Sequence, residues 1–166
     1  MKIKTLLIGL VGFFLLMSCE KEPPRLPDET QEGLGTFGCL VNGELVIPRW
    51  RSQWGPGNGL WIGAYYDPTT KQFSLVTLTQ GEHWFEFYVS NPKIGQCVID
   101  SVFFSSATNH YYVARSVPYI HLTRFDGKIA SGTFAFDADY YENGILVPDK
   151  KIQVRKGRFD VHINTY

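Results

Sequence analysis

The sequence predicts an all-β domain, an antiparallel meander stacked into a β-sandwich. From Thr36 onward apolar residues recur with period two rather than 3.6. Asn-Gly and Asp-Gly pairs punctuate the apolar runs. No stretch reads as a long amphipathic helix. With 166 residues, 44% hydrophobic and 15% aromatic, the chain has enough to bury for one domain.

The first eighteen residues read as a signal peptide. Lys2 and Lys4 precede an apolar run from Leu6 to Met17, shorter than the roughly 18–20 residues that span a membrane as a helix. The run ends in Leu16-Met17-Ser18-Cys19, which resembles a bacterial lipobox. A thiol is needed there to take the diacylglycerol, and a small residue before it to fit the peptidase. Cys19 is therefore the expected lipidation site, carrying palmitate-type acyl chains. Residues 19–35 follow as lipidated Cys and flexible tether, rich in proline and acid (Glu20 to Glu32) and poor in apolar surface. The acidic start, Glu20-Lys21-Glu22, fits a surface-sorting signal as well as a plain spacer.

Residues 36–166 form the expected β domain. Thr36–Val41 and Glu44–Ile47 flank Asn42-Gly43, the sequence of a type I′ hairpin, and Pro48 ends the pairing. Leu60–Tyr66 reads as a strand stopped at Asp67-Pro68. Phe73–Thr79 and His83–Val89 flank Gln80-Gly81-Glu82, a second hairpin. In the latter strand Phe85, Phe87 and Val89 share one face, and Trp84, Glu86 and Tyr88 the other. Gln96–Phe104 is read as one weaker strand, Ser105–His110 as a polar loop and Tyr111–Ala114 as a short strand. Tyr119–Phe125 and Lys128–Asp137 flank Asp126-Gly127, a third hairpin.

Lys151–Arg155 and Arg158–Ile163 finish the chain. Ile152 and Val154 lie on even positions, but Phe159, Val161 and Ile163 on odd ones. One continuous strand facing the core must absorb an extra residue near Lys156-Gly157. That predicts a β-bulge, with glycine supplying the unusual dihedral. Roughly nine or ten strands must stack or curl to cover their apolar faces. A flattened, calycin-like β-barrel is the alternative to the sandwich.

Two ends of the domain carry a resemblance. Thr36-Phe37-Gly38-Cys39-Leu40-Val41-Asn42-Gly43 opens it. Leu122-Thr123-Arg124-Phe125-Asp126, Ser131-Gly132-Thr133-Phe134-Ala135-Phe136 and Gly157-Arg158-Phe159-Asp160-Val161 close it. The set resembles a family of small Bacteroidota lipoproteins, a domain of unknown function. A tryptophan and proline usual after the first hairpin appear here as Ile47-Pro48, with Trp50 displaced. The resemblance implies a lipid-anchored, all-β protein of the cell envelope and carries over no catalytic residue.

Charge narrows the function. A formal net charge of +0 lacks the footprint of a nucleic-acid binder. Without Lys2 and Lys4, 14 basic residues face 16 acidic ones. Cys39 and Cys97 remain after lipidation. Outside the cytosol they can form a disulfide closing about 58 residues, worth about 3–4 kcal/mol, or stay buried thiols. His83, His110, His121 and His162 show no metal-ligand spacing, so no metal or cofactor is expected.

Arg158 and Asp160 share a strand face. They suit a polar ligand, or cross-strand pairs with Asp137 or Arg124. Lys150, Lys151, Arg155, Lys156 and Arg158 make a basic cluster suited to anionic lipid or polysaccharide, or to a guarded sheet edge. Trp50, Trp54, Trp61, Tyr65 and Tyr66 surround the loop Gln53-Trp54-Gly55-Pro56-Gly57-Asn58-Gly59. They form either a stacking platform for glycan or peptide, or a plug for the open end of the core.

No nucleophile–base–orienter set stands out, so an enzyme is not expected. The expectation is a binding or display module on the outer membrane, held there by its lipid, with a glycan or envelope protein as ligand. An accessory subunit of an outer-membrane complex and a barrel for a small apolar ligand are the alternatives.

Overall fold

Period-two alternation delivers twelve strands among the described residues and no helix. The computed structural model describes residues 25–48, 62–79, 84–105, 110–114 and 118–165. The strands are β1 Thr36–Val41, β2 Glu44–Val46, β3 Ile62–Asp67, β4 Gln72–Leu78, β5 Trp84–Ser90 and β6 Gly95–Val98. They continue with β7 Ser101–Ser105, β8 His110–Ala114, β9 Tyr119–Phe125, β10 Ile129–Glu142, β11 Ile145–His162 and β12 Asn164–Thr165.

The hydrogen-bond ladder runs β12-β3-β4-β5-β7-β8-β10-β11-β1-β2, and β9 and β6 branch from β10. It folds into two layers, antiparallel except for the parallel β12–β3 pair, joined where the far end of the long β10–β11 hairpin reaches β8. The first part of β10 pairs with β9, through Ala130↔Phe125 to Ala135↔Tyr119. Its last part pairs with β8, through Ala138↔Ala114 to Glu142↔His110. One layer is β12-β3-β4-β5-β7-β8, the other β6-β9-β10-β11-β1-β2. The two end strands of the ladder, β12 and β2, do not pair with each other. The sandwich expectation therefore holds, and the flattened barrel does not.

The bend in β11 is the predicted bulge. Phe134↔Gly157 is followed by Phe136↔Val154, and Gly38↔Arg158 by Leu40↔Arg155. One extra residue on β11 is absorbed there, where β10 passes from one neighbour to the next. The positive φ falls on Lys156 (52°), however, and not on Gly157. Gly157 is needed for space: a Cβ there would meet the Phe134 ring at 2.4 Å.

The turns follow their sequences with two differences. Asn42 and Gly43 both take positive φ (51° and 88°), as a type I′ turn requires. At the third hairpin Asp126 pairs with Ile129, and only Gly127 has positive φ (81°), the pattern of a type II′ turn one residue later than expected. β10 runs on to Glu142 and turns at Asn143-Gly144, also both positive. The expected single strand Gln96–Phe104 is two. β6 pairs with β9 in one layer and β7 with β5 in the other, separated by Ile99 and Asp100. Gln80-Gly81-Glu82 lies outside the described residues.

The core is a phenylalanine stack between the layers. Phe73 and Phe87 lie 6.4 and 6.0 Å from Phe159, and Phe85 lies 5.5 Å from Phe134 and 5.2 Å from Phe37. All six rings are essentially buried. Each stabilises by about 1.5–3 kcal/mol through burial, with aromatic contact adding to it.

Candidate functional site

The first feature is a strap. Residues 25–35, the described part of the expected flexible tether, form no strand, bend at Gln31-Glu32 and are bonded to the outer side of the β9–β10–β11–β1 sheet. Asp160 holds them: Thr30 Oγ1 donates to its Oδ2 at 2.6 Å, Gly33 N to Oδ1 at 2.8 Å and Glu32 N to Oδ2 at 3.0 Å. Ser131 Oγ donates to Oδ1 from the neighbouring strand at 2.6 Å. Burial pushes this carboxyl's pKa up, but the bonds from Ser131, Thr30, Gly33 and Glu32 outweigh it and hold the group at about 2. Arg158 adds a bond from Nη1 to the Pro27 carbonyl (3.0 Å) and an ion pair to Glu29 (3.2 Å). Arg124 Nη1 donates to the Gln31 carbonyl. Gly38 leaves room for the crossing, since a Cβ there would sit 2.7 Å from Pro27 Cδ.

The expected cross-strand partners of Arg158 and Asp160 are thus replaced by this strap. The alternation does put both side chains on one face, but the chain's own N-terminal segment covers it. Asp137 instead approaches Arg155 at 2.6 Å, close enough for an ion pair but off the hydrogen-bond angle.

Beside the strap lies an open groove of about 590 Å³. Strand order sets its walls: Gln96 from β6, Tyr119 and His121 from β9, Thr133 from β10, Lys156 and Arg158 from β11, with Glu29 of the strap at one side. Tyr119 is 47% exposed and stands next to exposed Val98 across the β6–β9 pair. A smaller hollow of about 140 Å³ continues under the strap between Glu29, Thr30, Thr123, Thr133 and Arg158.

Two cations and one carboxylate therefore line the groove, and the carboxylate comes from the strap. The basic cluster expected from sequence is divided. Arg155 faces Asp137, Lys150 sits over the Tyr140 ring at 4.8 Å, and Arg158 holds the strap. Lys156, turned outward by the bulge, makes no ion pair with a described residue. The arrangement can hold an anionic, hydroxyl-rich ligand through charge, hydrogen bonds and one aromatic face. No group of three metal-ligating side chains exists among the described residues.

The other expected site residues fall elsewhere. Cys19, Trp50, Trp54 and Trp61 lie outside the described residues. Tyr65 and Tyr66 are adjacent on β3 and so point to opposite faces. Tyr66 packs edge-on against Phe125 at 5.2 Å and belongs to the core margin. Tyr65 lies on the outer side, over Gly63. The two cannot share one platform.

Cys39 and Cys97 do not form the candidate disulfide; both are buried thiols. β9, β10 and β11 separate their strands. Four steps of about 4.8 Å make roughly 19 Å of sheet, against the roughly 7 Å limit for a bridge. Burial pushes the Cys39 thiol up to about 12. Cys97 Sγ donates to the Lys93 carbonyl at 3.1 Å.

Sequence reasoning missed Tyr119, Thr133, Gln96 and Glu29. Alternation along β9 and β10 puts Tyr119, His121 and Thr133 on the outer face, and the bulge points to Lys156. Nothing in the sequence says that β6 joins this layer.

Compared with family models, curated proteins and solved structures, the chain matches none.

Proposed function

We propose that this protein is a lipid-anchored lipoprotein of the cell envelope, a binding module without chemistry of its own. The observation that carries the binding reading is the groove beside the strap. It offers an exposed ring (Tyr119), hydrogen-bonding side chains and two cations on a rigid sheet face. The anchoring reading rests on Leu16-Met17-Ser18-Cys19 and on the charged, apolar stretch before it. Tethering raises local concentration, so a modest affinity in the groove suffices.

Metabolic labelling with a fatty-acid analogue tests the anchor. The chain takes up label and Cys19→Ala does not; an unlabelled parent chain refutes it. A glycan array tests the groove, with Tyr119→Ala expected to lose the signal. An undiminished signal removes the groove from the binding reading.

A second reading, an accessory subunit of an outer-membrane complex, draws on exposed Ile94, Val98 and Tyr119 around the edge strand β6. Crosslinking from Val98 in intact envelopes would then capture one defined neighbour, and recovery of none counts against it.

A further inference from the structure

We propose that the groove takes an acidic saccharide, whose carboxylate is held by Lys156 and Arg158 in place of Glu29. The inference rests on the binding-module reading above and narrows its ligand.

Charge is the first argument. The chain as a whole is balanced, with 16 basic and 16 acidic residues. The groove is not, because the sheet contributes Lys156 and Arg158 to its lining and no acid. The lone carboxylate, Glu29, sits on the strap with 61% of its side chain exposed. An ion pair that exposed is weak and easily exchanged. Glu29 on Arg158 Nε at 3.2 Å marks a place where a carboxylate already fits.

The backbone is the second argument. Lys156 is held at φ 52°, a region where non-glycine residues are uncommon. Glycine stands at the next position, yet the strained position carries a long cation. Bulges re-aim side chains, and this one sends an ammonium outward at the groove. Lys71 takes the same φ (53°) in a plain turn, so what sets Lys156 apart is its place in the groove lining.

The remaining lining suits a sugar. Tyr119 offers a half-exposed ring for stacking, and Gln96, His121 and Thr133 offer donors and acceptors on successive strands. An apolar ligand would leave these groups unpaired. A flat membrane surface would read protruding cations, whereas these line a groove walled by residue Glu29.

The test uses the full-length acylated protein in detergent micelles, titrated calorimetrically with tetragalacturonate, maltotetraose and a sulfated galactan tetrasaccharide. Tetragalacturonate is expected to bind at least about tenfold more tightly than maltotetraose. Lys156→Gly, which relieves the backbone, should weaken it by about tenfold. Glu29→Gln, which unloads Arg158, should tighten it by about threefold. Circular dichroism verifies that both variants stay folded. Equal affinity for maltotetraose, or no change in either variant, overturns the proposal. Binding only to phosphatidylglycerol vesicles also overturns it, as does a sulfated ligand that outcompetes the uronate. If a neutral glycan alone binds, with loss in Tyr119→Ala, the acidic assignment falls while the binding module stands.

Discussion

Thr30 and Asp160 are 130 positions apart, and the threonine hydroxyl donates to the aspartate carboxylate at 2.6 Å. This bond and its three companions turn an N-terminal segment into part of the sheet's surface. Asp160→Ala strands the Ser131 hydroxyl and the Gly33 amide in a buried place. We expect a loss of about 3 kcal/mol in urea denaturation, with new proteolytic cleavage within 25–35. Gly38→Ala should produce the same cleavage with a smaller stability loss, since its added Cβ strikes Pro27.

Acid should loosen the same attachment. The folded pKa of Asp160 lies at about 2, below the roughly 3.9 of an unfolded aspartate. A depressed carboxylate contributes stability above the unfolded value and loses it as pH falls through the folded one. Asp126, held at about 2 chiefly by the Ile129 and Lys128 amides and also by Arg124, adds in the same direction. The urea midpoint should be flat above about pH 5 and fall between about pH 4 and pH 2. Asp160→Asn should flatten part of that fall.

The bulge gives a pair of opposite expectations. Gly157→Ala drives a methyl into the Phe134 ring and should cost about 1–3 kcal/mol. Lys156→Gly releases a left-handed lysine and should stabilise by about 1 kcal/mol. Thermal melts of the two variants should therefore shift in opposite directions.

The cysteines offer a chemical check. Cys39 is fully buried and its thiol is pushed up to about 12, while Cys97 is 7% exposed. Neither should react with a thiol-specific disulfide reagent in the folded protein, and both should react in denaturant, since no bridge joins them. A signal for only one thiol, or none, in denaturant would contradict the strand order.

The sequence was most legible where one residue pair dictates a backbone shape or where a phase changes. Asn42-Gly43 names its own turn, and Asn143-Gly144 follows the same rule. The shift from Val154 to Phe159 locates the bulge. A similar shift, from Cys97 and Ile99 to Val102 and Phe104, marks the break between β6 and β7, and it was legible on the same terms. The strap was not. Its anchor donors are mostly the amides of Glu32, Gly33 and Leu34, which every residue but proline possesses. Pairing β6 with β9 was equally hidden, because alternation assigns a face but never a neighbour. The groove combines both, needing strap and strand order together.

The strap also sets a leash. With the strap fastened to the sheet from Pro27 onward, only eight residue steps part the Cys19 thiol from the body it would hold. Fully stretched, eight steps reach roughly 28 Å. An acylated protein of this build would ride close against the lipid headgroups instead of ranging away from them, and a ligand would have to come to the bilayer to be caught.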